Sequence, residues 1–462
     1  MTATSPHGSG RPETNDLPLG PFEGPDGLVA RTTPIDPSGL SGPVDLLAVA
    51  GDRGMLFERE GAGLACRGEA LRIELPAGWS GRAGGAGWSG GAGGGGDIVG
   101  EVLGRISAED AVTRPGTGPL AIGALPFDAG SPATLVVPAL VVGVDVDGSA
   151  WRTVISRRDA PSGWERSLDL VSVEDRRWPP DQFSLVPRIP HQEWCARVAE
   201  AVATIRAGHL EKAVLAREVV VEANRPFLVA DVLERLRALY PSCTTFSVDG
   251  FVGASPELLV GRRGRTVRSH PLAGTVARSG DPEADRVLTA ALLASAKERH
   301  EHQVVVDAVA QALGPLCPQL DVPPSPSIVS LRNVSHLGTL IEGRLAGPVP
   351  GDLAPAWQLP SAIDLATRLH PTPAVAGVPR APALALISAM EGMDRGGYAG
   401  PVGWVDSRGD GDWVIGIRSA TLDGATARLI AGVGIVADSV PEEELVETQL
   451  KLQALLAAVV RP

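Results

Sequence analysis

The chain of 462 residues is poor in aromatic residues, cysteine and positive charge, and each shortage argues against a class of protein. Aromatic residues make up only 4% of a chain that is 44% hydrophobic, so we expect a mainly aliphatic core. The formal net charge of −13 argues against nucleic acid or an anionic membrane as partner. The four cysteines form no Cys-x-x-Cys pair, which indicates reduced thiols rather than disulfides or zinc ligands.

Long apolar runs are also missing. No segment is long and clean enough to span a bilayer, and the first residues lack the order of a signal peptide. We therefore expect a cytoplasmic protein with no membrane partner. Residues 1–25 are rich in proline, glycine and polar residues, which predicts a disordered tail.

The first half contains a low-complexity stretch, GWSGRAGGAGWSGGAGGGGD at residues 78–97. A glycine-rich loop can cradle phosphate, but this one lacks a GKS or GKT ending and a strand before a helix. It therefore predicts a flexible insertion of unknown role. Apolar runs in 46–75 and 119–156, including LLAVAG, predict antiparallel strands, and the proline- and charge-rich 157–190 predicts a surface connection.

Helices and strands are mixed in the second half. The periodicities predict a helix at 191–207, a strand at 211–223, a helix at 229–239, a hairpin within 251–275, a long helix at 282–313, a strand pair within 327–345, a helix at 380–391 and a last helix starting near 441. No βαβ rhythm is visible. We expect an α+β fold with large antiparallel sheets forming a sandwich and helices on the outside.

Two of these helices each carry a pair of acids. Glu444, Glu447 and Lys451 share one face of the last helix, and Glu298 and Glu301 lie one turn apart on another. Four carboxylates from two helices could enclose a hard cation such as Mg²⁺, which prefers oxygen ligands. The alternatives are that the acids complement a helix dipole or are solvated surface charges.

Two isolated residues could carry acid–base chemistry. Lys212 lies in a strand among apolar neighbours, and burial makes a lysine a better base near neutral pH. Such a lysine can instead protect a strand edge. Glu257 follows Ser255 and Pro256 in an apolar hairpin, where a raised pKa would make it a general acid. The alternative is an acid at a solvated turn.

Anion-binding groups are also present. Tyr398, Arg418 and Lys451, together with the backbone at Gly432 and Gly434, are possible contacts for a carboxylated substrate. An arginine within an apolar strand needs a carboxylate partner.

Nine motifs in one order carry a family resemblance. They are EKAVLAR, GASPELL, SHPLAGT, KERHEH, SHLGT, LHPTPAVAG, DRGGYAGPVGW, IGIRSA and AGVGIVADSVPEEELVETQLK. Together they resemble the chorismate-utilising enzymes, which include isochorismate synthase, salicylate synthase and the first components of anthranilate and aminodeoxychorismate synthases. The resemblance is dense over about 190–460. It implies one domain over 26–462, with a catalytic core at 191–462 and a less typical part at 26–190.

A few positions distinguish the members. The ammonia-using anthranilate and aminodeoxychorismate enzymes have glutamine at the position of Lys212, and aminodeoxychorismate synthases usually have lysine at that of Ala273. His370 and Ala374 in LHPTPAVAG resemble isochorismate synthases, whereas salicylate synthases tend to have threonine at Ala374. The resemblance therefore implies an isochorismate synthase. The alternatives are a salicylate synthase and a silent chorismate-binding subunit.

The resemblance also implies roles for these residues. Lys212 would activate the water that attacks C2 of chorismate, Glu257 would protonate the departing C4 hydroxyl, and His336 would orient the ring. The expected substrate contacts are Tyr398, Arg418, Gly432, Gly434, Lys451, Ala374, Gly274 and Thr275. Mg²⁺ would be held by Glu301 and Glu447, with Glu298 and Glu444 close by. We expect no obligatory glutaminase partner and a monomer.

Overall fold

The computed structural model describes residues 23–36, 42–79, 95–159, 178–332, 334–347 and 359–460. Most of the predicted tail, most of the glycine-rich loop and residues 160–177 of the predicted surface connection lie outside these ranges.

The strands of the described residues, in chain order, are β1 (Leu28–Pro34), β2 (Met55–Arg59), β3 (Ala62–Arg67), β4 (Leu71–Leu75), β5 (Ser107–Asp110), β6 (Leu120–Ala124), β7 (Ala133–Val137), β8 (Leu140–Val144), β9 (Ala150–Arg157), β10 (Phe183–Pro187), β11 (Lys212–Ala223), β12 (Thr244–Val248), β13 (Phe251–Ser255), β14 (Leu258–Arg263), β15 (Thr266–His270), β16 (Leu272–Ala277), β17 (Gln319–Asp321), β18 (Ser327–Ser330), β19 (Val334–Gly338), β20 (Ile341–Arg344), β21 (Gly377–Val378), β22 (Pro401–Asp406), β23 (Gly411–Ile415), β24 (Ser419–Asp423) and β25 (Thr426–Ile435). The helices are α1 (Leu46–Ala50), α2 (Gly95–Arg105), α3 (His191–Arg206), α4 (Val229–Leu239), α5 (Pro282–Ala294), α6 (Ala296–Leu313), α7 (Ala362–Leu369), α8 (Arg380–Glu391) and α9 (Pro441–Val459).

Three sheets are formed by these strands. The largest has the order β10-β11-β25-β24-β13-β12-β2-β3-β8-β9-β1-β5, with β21 paired to β11. The second has the order β17-β20-β15-β14-β23-β22-β6-β7-β4, and the third is β16-β19-β18. Within the described ranges, every strand pair is antiparallel except β1 with β5. The predicted large antiparallel sheets are confirmed.

The two larger sheets pack face to face. Phe57, Trp151 and Phe246 of the largest sheet meet Val402 and Trp404 of the second in one buried cluster. Such aromatic side chains remove large apolar areas from water and dominate the energy of a core. The other face of the largest sheet is covered by α1, α4 and α9, and α2 and α7 lie against the second sheet. The expected sandwich with helices outside is therefore present.

Strands from both halves of the chain enter both sheets. β1 to β3 lie in the largest sheet and β4, β6 and β7 in the second, beside strands that follow residue 191. The division at residue 190 stays a prediction.

Three predictions of local structure are wrong. The run LLAVA is helix α1, because Asp45 accepts a hydrogen bond from the backbone N–H of Leu47 and caps it. Helix α2 starts at Gly95, inside the predicted glycine-rich loop. The long helix at 282–313 is broken into α5 and α6 at Ser295, whose side chain accepts from Glu298 N–H. The predicted hairpin is present as β14 and β15, although β13 before it lies in the largest sheet and β16 after it in the third, and the predicted strand pair is present as β18 and β19.

Candidate active site

One pocket of about 240 Å³ contains every site residue predicted from the sequence. The residues come from the largest and the third sheet, from loops, and from two helices, α6 and α9. They are Lys212, Glu257, Gly274, Thr275, Glu298, Glu301, His336, Ala374, Tyr398, Arg418, Gly432, Gly434, Glu444, Glu447 and Lys451. These residues are up to 239 residues apart in the chain, so only the fold brings them together.

Lys212 begins β11 and points along a channel that a glycine leaves open. A Cβ at Gly434, on the paired strand β25, would lie 2.7 Å from Lys212 Cε. The lysine Nζ lies 3.0 Å from Glu301 Oε2 of α6, and its side chain is 14% exposed. The alternative of a strand-edge lysine in solvent is therefore wrong: the side chain is directed into the pocket.

Glu257 lies at the two-residue junction where the chain leaves β13 in the largest sheet and enters β14 in the second. This junction buries the carboxyl group, which is only 4% exposed, so the solvated-turn alternative is wrong. Desolvation raises the pKa of Glu257 to about 8, although a backbone hydrogen bond from Leu272 and the charge of Arg418 oppose the rise. The residue therefore carries its proton at neutral pH and can donate it.

Arg418, His336 and Thr275 form a hydrogen-bonded chain along one wall. Arg418 Nη2 lies 3.0 Å from His336 Nε2, and His336 Nδ1 lies 3.0 Å from Thr275 Oγ1. A guanidinium only donates, so Nε2 must accept and the proton must sit on Nδ1. Burial, with the charges of Arg418 and Lys451, lowers the pKa of His336 to about 3 and keeps the ring neutral. His336 therefore orients the arginine.

Arg418 is itself a partly buried cation whose only hydrogen-bond partner named above is the neutral ring of His336. Burial lowers its pKa, and its backbone has a φ of 48°, a conformation that costs a non-glycine residue energy. No carboxylate in the part of the chain that the structure describes forms an ion pair with it. A substrate carboxylate would supply the missing charge.

Lys451, Gly432 and Tyr398 are linked at the β25 end of the pocket. Lys451 Nζ donates to Gly432 O at 2.9 Å, and Gly432 N–H donates to the Tyr398 hydroxyl at 2.7 Å. A Cβ at Gly432 would lie 3.1 Å from that hydroxyl, so glycine permits the contact. Because the hydroxyl oxygen accepts from the backbone, its own proton can be donated to a ligand.

The four glutamates face each other from two helices. Desolvation and the nearby charges of Glu301 and Glu447 raise the pKa of Glu298, and desolvation and the charge of Glu447 raise that of Glu444. Carboxylates that repel one another in a half-buried pocket are the donor set that a hard divalent cation prefers.

These carboxylates are also engaged with the protein. Glu301 pairs with Lys212, and Glu447 Oε1 lies 2.8 Å from Lys451 Nζ. Among the described residues, no three acidic, histidine or cysteine side chains are grouped closely enough to hold a metal ion as they stand. The donor chemistry fits a hard cation, and a bound one would require these side chains to turn towards a common point.

Two charged residues of the pocket were missed by the sequence reasoning. Lys297 lies beside Glu298, and Arg395 lies on the wall next to Val375. Lys297 lies in the quoted motif KERHEH and Arg395 in DRGGYAGPVGW, so motif membership was the available signal. His370 does not line the pocket; it is buried, with Nε2 3.0 Å from Phe127 O.

The fold and this pocket define an enzyme of the type that binds chorismate. The sequence profile described as chorismate binding enzyme matches residues 98–460, and the chain belongs to that family. No helix in the described ranges is long and apolar enough to cross a membrane.

Several relatives are similar over most of the chain. A Mycobacterium tuberculosis (strain H37Rv) protein, named as a candidate isochorismate synthase MenF, is 41% identical over 369 residues, which cover 77% of this chain and 90% of the relative. The isochorismate synthase DhbC of Bacillus subtilis is 37% identical, covering 74% and 81%. The solved structure of MenF, the menaquinone-specific isochorismate synthase from Escherichia coli, is 25% identical with a TM-score of 0.77, covering 95% and 96%.

Proposed function

We propose that this protein is an isochorismate synthase, which converts chorismate to isochorismate. The observation that carries the proposal is one pocket that contains the buried Glu257, with a pKa raised to about 8, together with Lys212 and with Arg418, which forms no ion pair with a carboxylate of the described residues. Similarity to named isochorismate synthases over about three quarters of the chain supports the same reaction.

The reaction needs both an acid and a base. Water is a weak nucleophile, so Lys212 must be neutral, and no longer paired with Glu301, to accept a proton as the water oxygen bonds to C2 of the ring. Hydroxide is a poor leaving group, so Glu257 donates its proton as the C4–O bond breaks and water departs. The ring double bonds shift between these positions, and the net composition of the substrate does not change.

The remaining residues bind and orient the substrate. Arg418, Lys451 and Tyr398 hold its carboxylates, and His336 fixes the direction of Arg418. Ala374, Gly274 and Thr275 shape the walls, and Gly432 and Gly434 leave the backbone approachable. Glu301 and Glu447, with Glu298 and Glu444, would hold Mg²⁺. When bound, Mg²⁺ supplies charge stabilisation at the ring carboxylate.

We also propose that the protein works in the cytoplasm as a monomer and without a glutaminase partner. The names of the relatives include a menaquinone-specific enzyme and a vibriobactin-specific enzyme, so the product could feed either a quinone or a siderophore.

A product assay tests the proposal. The protein is incubated with chorismate, with and without Mg²⁺, and isochorismate, salicylate and, after addition of ammonia, anthranilate are resolved by chromatography. Isochorismate alone, formed only with Mg²⁺, is the expected result. Salicylate with pyruvate would assign the protein to the lyases, and no product would favour a silent subunit.

Matched variants connect the assay to the pocket. Lys212→Ala and Glu257→Gln should each abolish isochorismate formation and still bind chorismate in the presence of Mg²⁺. Wild-type turnover in either variant would contradict the assigned roles.

A further inference from the structure

A buried ion pair beside the pocket has no part in the reaction as described above. Glu391 ends α8, and Arg395 follows it by four residues. Arg395 Nη2 lies 2.5 Å from Glu391 Oε1, Arg395 Nε lies 2.9 Å from Glu391 Oε2, and each side chain is 3% exposed. Burying such a pair is costly unless other hydrogen bonds satisfy both groups.

Those other hydrogen bonds go to the backbone of β11. Arg395 Nη2 donates to Val214 O at 2.7 Å, and Ala216 N–H donates to Glu391 Oε1 at 2.7 Å. Val214 and Ala216 lie two and four residues after Lys212 on the same strand. The ion pair is therefore hydrogen-bonded to β11, the strand that carries the proposed base Lys212.

The pair fills a gap in the sheet. One edge of β11 pairs with β21 at residues 212–213 and with β10 at residues 219–223. Between them no strand of the described residues covers that edge. Val214 N–H donates to Ala376 O and Glu218 O accepts from Arg188 N–H, whereas Val214 O and Ala216 N–H are bound by the side chains of Arg395 and Glu391. Without them, two buried backbone groups would lose their partners.

The same arginine also binds the segment around Ala374, which lies against β11 through the hydrogen bond from Val214 N–H to Ala376 O. Arg395 Nη1 donates to Val375 O at 3.1 Å, next to Ala374, and its guanidinium lies 4.1 Å from the centroid of the Phe127 ring. All three guanidinium nitrogens are thus bonded to protein. Arg395 lines the pocket, and these bonds engage four of its five N–H donors, leaving one N–H of Nη1.

We propose that Glu391 and Arg395 form a positioning pair that fixes the spacing between the Lys212 strand and the Ala374 wall, and so directs Lys212 at the attacking water. The proposal rests on the proposed function for its catalytic consequence. The hydrogen bonds between the pair and β11 do not depend on which reaction the protein catalyses.

The test uses Arg395→Lys and Glu391→Gln in the full-length chain. Lysine keeps the charge but cannot bond Glu391, Val214 and Val375 together, and glutamine keeps an acceptor for Ala216 N–H. Because misplacement by about 1 Å can cost about a hundredfold in rate, we expect kcat to fall by roughly ten- to a hundredfold in Arg395→Lys. The KM for chorismate should change little, because the proposed contacts of Arg418, Lys451 and Tyr398 with the substrate carboxylates remain. Glu391→Gln should show a smaller decrease in kcat than Arg395→Lys.

The matched control is Arg262→Lys, which alters another buried arginine, 5% exposed, paired with Asp410 away from the pocket. Thermal unfolding of all variants is measured beside kcat and KM. Hydrogen exchange of the peptide that contains residues 213–217 should become faster in Arg395→Lys and stay unchanged in Arg262→Lys.

The outcomes separate the two proposals. Unchanged exchange at 213–217, or a kcat loss no larger than that of Arg262→Lys at equal thermal stability, would overturn the positioning role. A wild-type protein that makes no isochorismate would overturn the proposed function. Hydrogen exchange at residues 213–217 would still test whether the pair stabilises β11. If Arg395→Lys does not fold, Glu391→Gln gives the same two readouts.

Discussion

The raised pKa of Glu257 makes a quantitative prediction for the dependence of turnover on pH. With a pKa of about 8, roughly nine in ten molecules carry the proton at pH 7. Above pH 8 the protonated fraction falls about tenfold per pH unit, so kcat should fall in the same proportion if Glu257 is the general acid. Steady-state kinetics between pH 6 and 10, with saturating chorismate, measure this decrease in kcat.

The same group makes the free energy of unfolding depend on pH. The pKa of Glu257 is raised in the folded state from an ordinary value of 4.5, so the folded protein holds this proton more tightly. Its contribution to stability is fully present below pH 4.5 and is lost as the pH rises through about 8. At about 1.4 kcal/mol per pH unit, the loss is roughly 5 kcal/mol, an upper limit.

Glu257→Gln should remove both effects. The variant should lose about a hundredfold or more in kcat, because a glutamine cannot act as the acid, and its unfolding free energy should lack this slope with pH. Glu58→Gln is the matched control, since Glu58 is another 4% exposed glutamate, with a pKa raised mainly by burial, in β2 outside the pocket. A kcat that stays flat from pH 7 to 10, or near-normal turnover in Glu257→Gln, would refute the reasoning.

Three further predictions concern the rest of the pocket. Gly434→Ala should lower kcat, because its Cβ would lie too close to Lys212 Cε. Gly100→Ala, where a Cβ meets open space, should leave kcat unchanged, and steady-state kinetics compare the two variants. Arg418→Met should raise the Kd for chorismate by at least about thirtyfold, as expected when a buried charged contact worth about 2 kcal/mol or more is lost; calorimetric binding with unchanged affinity would contradict its role. Chelation of divalent cations should stop turnover and Mg²⁺ should restore it, and Glu301→Gln should weaken Mn²⁺ binding followed by electron paramagnetic resonance.

The sequence predicted the pocket residues better than the path of the chain. Most of the quoted motifs placed one or two of the predicted pocket residues, the last motif placed five, and the fold brought them together. The local errors arose where a cap or a change of sheet overrode periodicity. Ser295, three residues before Glu298, is an N-terminal capping signal inside an apparently continuous helix. The passage of 251–277 through three sheets left no such mark in the sequence.

Arg395 shows a different limit of sequence reasoning. Its motif drew attention to Tyr398, because a hydroxyl is an obvious ligand group. Apart from Glu391, the partners of Arg395 are backbone atoms of Val214 and Val375, and backbone atoms leave no trace in residue identity. The gap between β21 and β10 that makes the pair necessary is visible only in the folded sheet.

The pairing of β11 with β25 also bears on the order in which the protein can fold. The ladder joins residues 213–222 to residues 426–435, and α9 closes the pocket only after β25. Contacts so distant along the chain are slow to form, because a long loop must close first. On the ribosome, Lys212 therefore emerges long before Gly434 and Glu447, and the pocket can assemble only when nearly all of the chain has been synthesised. We expect nascent chains ending before residue 426 to lack chorismate binding, and β11 to expose an unpaired edge that chaperones could bind until then.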